Sequence, residues 1–144
     1  MNKNGFTLVE TMVAITIVTI AISGAFFSAN SSMVASSIAR DKLTASYLAQ
    51  QGIEYVRMIR DNNYLTAYHQ NSATATSVGW SNFISSIGSS INYPVPSWAS
   101  SSFTRTVQAI AVSASDEKII STVSWNFHGI PHTVTVTDHL TPWQ

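Results

Sequence analysis

Apolar positions fall along this chain in three patterns, and each predicts a different element. From residue 6 to residue 27 the apolar run is interrupted by a single charge, Glu10. A helix over that run, at about 1.5 Å of rise per residue, is roughly 33 Å long, which is enough to cross the hydrocarbon core of a bilayer. Over residues 40–62 the pattern becomes one-sided: Ala45, Ala49, Gly52, Ile53, Val56 and Ile59 recur three or four apart. That stripe predicts an amphipathic helix, with Glu54 and Arg57, or Arg57 and Asp61, able to pair across a turn. If the helix runs unbroken from residue 6 to residue 62 it is about 85 Å long, more than a small domain covers. Gly24 and Gly52 are positions for a bend or for a close contact.

The second half of the chain reads differently. Asn62-Asn63 looks like a helix stop, and residues 64–102 are rich in Ser, Asn and Thr. Within this stretch residues 81–87 can form a short helix, capped by Ser81 with Phe83, Ile84 and Ile87 on one face. Pro94-Val95-Pro96 enforces an extended connection. Trp80, Tyr93 and Trp98 are read as completing the core, with exposed anchoring of a partner as the other reading.

From residue 103 the period drops to two. Residues 106–113 have strand character, and Asp116-Glu117-Lys118 reads as a charged turn before Ile119. Val123, Trp125 and Phe127 then alternate with polar residues, His128-Gly129 turns the chain, and Val134 and Val136 alternate with Thr133, Thr135 and Thr137. This is an antiparallel hairpin, with Pro131 tolerable on an edge strand or at a strand start. Its apolar face needs a cover, and the stripe on residues 40–62 supplies one. The expected fold class is therefore α+β, a long N-terminal helix packed by its second half on a small antiparallel sheet. The expected divisions are 1–5, 6–30, 31–62, 63–102 and 103–144.

Composition narrows the function. At 144 residues there is one domain's worth of chain. Charged residues are 10% and the formal net charge is zero, so no basic footprint for nucleic acid is present. The absence of cysteine removes disulfide and thiolate chemistry. His128, His132, Asp138 and His139 lie close in sequence but lack zinc-ligand spacing, and Asp116-Glu117 reads as turn surface before it reads as a calcium site. No metal, cofactor or enzymatic activity is expected.

Lys3 and the amino terminus precede the apolar run and the next charges come only at Arg40, Asp41 and Lys42, so the N-terminus is expected in the cytoplasm. A secretory signal has a shorter apolar region. Ser23-Gly24-Ala25 nevertheless resembles a signal cleavage site, and its use would release a soluble binding module beginning at Phe26. Glu10 argues against this, because a carboxylate in an apolar helix costs about 3 kcal/mol on insertion scales and a discarded signal has no use for one.

The stretch Lys3-Asn4-Gly5-Phe6-Thr7-Leu8-Val9-Glu10, followed at once by the long apolar helix, resembles the cleavage and methylation motif of type IV prepilins. The resemblance implies a leader of residues 1–5, a cut between Gly5 and Phe6 by a prepilin peptidase, and N-methylation of Phe6. It implies that Glu10 pairs with the N-terminal amine of a neighbouring subunit during assembly, an attraction strengthened at low dielectric. The chain would then be a structural subunit. It would sit in the inner membrane as a single-pass protein and afterwards in an extracytoplasmic pilus or pseudopilus. Its partners would be membrane lipid, other pilin subunits, the peptidase, and a separate assembly platform and ATPase. The ending, a Val-x-Trp strand, a turn, a Val-x-Val strand and Leu140-Thr141-Pro142-Trp143, also resembles minor pilins and type II secretion pseudopilins. Many Gram-negative pilins carry a C-terminal disulfide loop that this chain lacks. Adhesion, secretion and DNA uptake all stay open, as does a secreted or membrane-anchored module that never polymerises.

Overall fold

A computed structural model describes residues 7–91, 93–100 and 102–143. The chain divides into two units, Met1–Arg40 and Asp41–Gln144. Helix α1 is Leu8–Gln70 and contributes to both.

In the first unit, every residue over 7–36 is exposed to its surroundings. These are the side chains of a membrane-type segment, among them Ile15, Ile20, Phe26 and Phe27, and the helix is long and apolar enough to cross a membrane. Its hydroxyls do not spoil that character. Thr16 donates to the Met12 carbonyl at 2.7 Å, Thr19 to Ile15 at 2.8 Å and Ser23 to Thr19 at 2.8 Å. These three hydroxyls are satisfied on their own helix, as a lipid-facing helix requires.

In the second unit the rest of α1 packs on a four-stranded antiparallel sheet, order β1-β2-β3-β4. The strands are β1 Ser90–Ile91, β2 Phe103–Ser113, β3 Asp116–Phe127 and β4 Ile130–Leu140. The α+β layout read from the sequence is the one observed. The expected helical stripe is buried at Ala45, Ala49, Gly52, Ile53 and Val56, joined by Leu48. Two core clusters result: Ile53 and Val56 meet Phe83, Val107, Ile119 and Leu140, while Ala45, Leu48 and Ala49 meet Ala99, Phe103, Val123 and Trp125. Gly52 is a close contact between layers, because a Cβ there would lie 2.5 Å from the Ser121 hydroxyl and 3.1 Å from a Val107 methyl.

Several boundaries differ from the sequence reading. Asn62-Asn63 does not stop α1. The Asn63 amide donates to the Ile59 carbonyl at 2.8 Å and Thr66 to Asn62 at 2.8 Å, so these side chains serve the helix instead of competing with it. The helix ends at Gln70, after which Asn71 Oδ1 accepts the Ala73 amide at 3.0 Å. Helix α2 spans Ala75–Ile87, starting well before Ser81, and its buried line is Ala75, Gly79, Phe83 and Ile87 at steps of four. The first half of that line carries little apolar volume, which hid it from a periodicity argument. Gly79 lets α2 reach the backbone of α1, a Cβ there falling 2.8 Å from the Tyr64 Cα.

The β2–β3 turn is at residues 114–115, and Asp116, Glu117 and Lys118 already belong to β3. Glu117 is inward, in phase with Ile119, while Asp116 accepts from His139 Nδ1 at 2.9 Å on the neighbouring strand. Strand pairing, not solvation of a turn, takes these charges. The His128-Gly129 turn is as expected, with φ of 50° and 81°, the pair of positive values a two-residue hairpin favours. Of the three aromatics read as core, Trp80 packs against the first cluster and donates its indole N–H to the Ala114 carbonyl at 2.9 Å. Tyr93 stacks on Tyr55 at 3.9 Å. Trp98 departs from the reading at 69% exposure.

Candidate processing and assembly site

The processing positions Gly5 and Phe6 lie outside the described residues, and Glu10 is the site residue that the structure places. It occupies the third position of α1. Thr7 is the residue before the helix, and its Oγ1 accepts the Glu10 backbone N–H at 3.3 Å while its carbonyl accepts the Thr11 N–H at 3.2 Å. This is the first half of a capping box, in which a Thr before the helix satisfies the third backbone donor. Thr11 returns its own hydroxyl to the Leu8 carbonyl at 2.8 Å. The cap fixes the Glu10 backbone in the first helical turn, where the positive end of the helix dipole favours a negative charge such as its carboxylate. Both Thr7 and Glu10 are exposed. The signal for Thr7 was present in the sequence as Thr-x-x-Glu ahead of an apolar run, and only the Glu was singled out from it.

The second unit holds a different polar cluster, built around Arg105. Strand β2 is inward at Phe103, Arg105, Val107 and Ala109, so alternation alone carries this guanidinium to the helix side. Arg105 is 8% exposed. It donates to the carbonyls of Leu48 at 2.8 Å, Tyr93 at 3.1 Å and Pro94 at 2.6 Å, and to Gln51 Oε1 at 3.1 Å. Its plane lies 4.1 Å from the centre of the Tyr93 ring, whose other neighbour is Tyr55. Burial lowers the Arg105 pKa from its ordinary value, and the contacts with Tyr93 oppose the shift. What the cluster does is mechanical: it ties the 93–94 segment to α1 through carbonyls, and among the described residues its hydrogen-bond partners include no carboxylate.

Arg57 bridges Glu54 at 2.6 Å and Asp138 at 2.8 Å, joining α1 to β4. The hydrogen bond that Arg57 donates to Asp138 raises the Arg57 pKa. Of the two pairings expected for Arg57 on the helix, the one with Glu54 forms; Asp61 is instead bound by Arg60 at 3.0 Å. The histidine group is taken apart by these contacts: His139 pairs with Asp116, Asp138 with Arg57, and His132 stacks on Trp125 at 5.3 Å. Among the described residues, no three His, Asp or Glu side chains come together as a metal site. Burial, helped by the Asp116 charge, raises the Glu117 carboxyl above its usual range.

Fold and site together define a class: an α+β domain whose leading helix is a membrane-anchoring element with a carboxylate in its first turn. Residues 1–26 match the family described as the prokaryotic N-terminal methylation motif, so the chain carries the type IV prepilin-like signal. No curated protein and no solved structure matches the chain. The motif marks a structural class of protein, and it implies processing by a prepilin peptidase and assembly with other pilins.

Proposed function

We propose that this protein is a pilin-like structural subunit and not an enzyme. A prepilin peptidase cuts it between Gly5 and Phe6, the new amine of Phe6 is methylated, and the product polymerises through its N-terminal helix into a type IV pilus or pseudopilus, as a minor component. Before assembly it is a single-pass inner-membrane protein with its N-terminus in the cytoplasm. The observation that carries this reading is the methylation motif over residues 1–26, continuous with an apolar helix whose side chains over 7–36 are all exposed. Exposed apolar surface of that extent needs lipid or other helices, and polymerisation exchanges one for the other.

Glu10 is the assembly residue in this scheme. Its backbone is capped by Thr7 in the first turn, and its carboxylate pairs with the amine of a neighbouring subunit, drawing that subunit into register. An assembly platform and an ATPase supply the work.

The test is the intact mass and N-terminal sequence of the chain isolated from membranes of a host that contains the peptidase. A chain that begins at Phe6 and carries one extra methyl group is the expected result. A start at Phe26 identifies a secreted module, and a retained Met1 identifies an anchor that is not processed; either one overturns the proposal.

A further inference from the structure

Strand β4 is the last of the sheet, and among the described residues no backbone group pairs with its outer row. Alternation identifies that row. The Ala109 N–H donates to the Ser89 carbonyl on the β1 side, so odd-numbered residues of β2 turn their backbone groups that way and even-numbered ones toward β3. Carried through the two registers, even-numbered residues of β4 bond β3, and Thr133, Thr135, Thr137 and His139 turn their N–H and C=O groups outward. Edge strands are usually blunted by lysine, proline or a bulge. In β4 the device is Pro131, near the start of the strand, and the pairing with β3 runs without a register shift.

The sequence of this edge is its own complement. Thr133-Val134-Thr135-Val136-Thr137 reads the same in both directions, with His132 before it and Asp138 after it. We propose that β4 pairs antiparallel with β4 of a second copy of this chain, about a two-fold axis at Thr135. In that register Thr135 exchanges both backbone bonds with the partner's Thr135, and Thr133 does so with the partner's Thr137. On the helix side Val134 meets the partner's Val136, and His132 meets the partner's Asp138. Arg57 occupies Asp138 Oδ2, which leaves Oδ1 to accept from the imidazole. Moving the axis one residue either way sets Asp138 against the partner's Ile130 or Val134 instead, so charge and apolar matching select one register. Val134 and Val136 are half-buried in the single chain, and a cleft of about 160 Å³ between α1 and β4 opens beside Val136 and Asp138. Any strand could satisfy the backbone row; the palindrome and the reciprocal His–Asp contacts select a second copy.

A two-fold axis normal to the sheet reverses every direction in its plane, so the α1 segments packed on the two sheets run opposite ways. Copies anchored in one membrane share one direction, and the contact therefore joins copies that belong to two separate membranes or filaments. That consequence rests on the pilin-like reading, whereas the strand pairing does not.

The test is sedimentation velocity of the full chain in detergent over a concentration series. One strand pair is a small contact, and a dimer with a Kd of about 10 to 100 µM is expected. Thr133, Thr135 and Thr137 are exposed, and two variants replace all of them, by Lys in one and by Glu in the other. In the proposed register each variant sets like charges opposite one another at every one of these positions, and should weaken the dimer about tenfold or more. Mixed in equal amounts, the two should form a heterodimer at least as tight as the parent dimer. A milder variant checks the axis without new charge. The chain has no cysteine, and Thr135→Cys places two thiols across the axis, at a Cα separation of about 5.5 Å that a disulfide can span. Oxidation should yield a covalent dimer of Thr135→Cys and none of Thr106→Cys, an exposed position away from this edge. A parent that stays monomeric over this range overturns the proposal. A dimer that both charged variants retain also overturns it, and assigns association to the apolar part of α1. Failure of Thr135→Cys to cross-link overturns the register, and with it the choice of a second copy over a foreign strand.

Discussion

Leu8 and Ile53 both belong to α1, and both are aliphatic residues in regular helix, yet one is 75% exposed and the other 4%. Along residues 7–36 no side chain is covered, whereas over residues 45–56 a stripe vanishes beneath the sheet. The difference lies in what surrounds apolar positions, not in their number. The first segment is apolar on all sides, so no single protein face could bury it, and only a surrounding medium of lipid or other helices can. The second is apolar on one side, and one sheet is sufficient cover. Helix propensity therefore says little about either segment's stability; the partner decides.

This comparison predicts that mutations in the two segments are read by different assays. Glu10→Ala is expected to have the largest effect, an approximately tenfold or greater loss of assembled filament, while membrane insertion and the melting temperature of the folded domain stay unchanged. Shear the cells and quantify the filament fraction against the membrane fraction; normal assembly in this variant removes Glu10 from the mechanism.

Gly52→Val should do the opposite, leaving insertion intact and destabilising the helix–sheet contact by about 2 kcal/mol, because its Cβ must displace the Ser121 hydroxyl or Val107. Urea denaturation with a circular-dichroism readout measures this. The same substitution at Gly24, where nothing lies within 4 Å of an added Cβ, should leave the melt unchanged. Replacing Arg105 by Met keeps much of the buried stem but abandons the carbonyls of Tyr93 and Pro94, and is expected to cost about 1 to 2 kcal/mol. The accompanying observation is faster proteolysis in the 93–100 segment.

The smallest effect is a pH dependence. Glu117 has its carboxyl raised in the folded chain, so the folded state holds a proton that the unfolded chain has already lost in the window between the ordinary and the raised values. Stability is therefore greater below that window and declines as the pH climbs through it. Glu117→Gln should flatten this decline and leave the chain more stable than the parent at pH 7. Thermal melts across pH 4 to 8 decide it; an unchanged profile in the variant means that the carboxyl is well solvated.

Much of this was legible before any coordinates. The N-terminal motif, the apolar run, the stripe from Ala45 to Val56, the His128-Gly129 turn and the Val134–Val136 alternation are all local signals, readable because periodicity reports which side of an element is covered. The misreadings have a common source. Asn62-Asn63 and Asp116-Glu117-Lys118 look like breaks by composition, but the first is absorbed by side-chain bonds back to the helix and the second by pairing with β4. The early turns of α2 were missed since Ala75 and Gly79 are buried for being small, and smallness matters only against a neighbour such as Tyr64. Trp98 shows the reverse, a large aromatic whose sequence neighbourhood gives no hint that it stays outside.

What the sequence determined by itself is the order of environments along the chain: a methylation-type motif and an apolar run long enough to cross a membrane, then a one-sided helix, then alternating strands. Those properties depend on residues within a few positions of one another, and the chain encodes them without reference to the rest of the fold. The tertiary structure alone decided which long-range partners meet. Arg105 is inward and held by Leu48, Tyr93 and Pro94, Arg57 reaches Asp138, and the threonines of three strands fall into shared rows. Such pairings depend on the register between strands and the seating of helix on sheet, and register is fixed by the packing of the whole face at once.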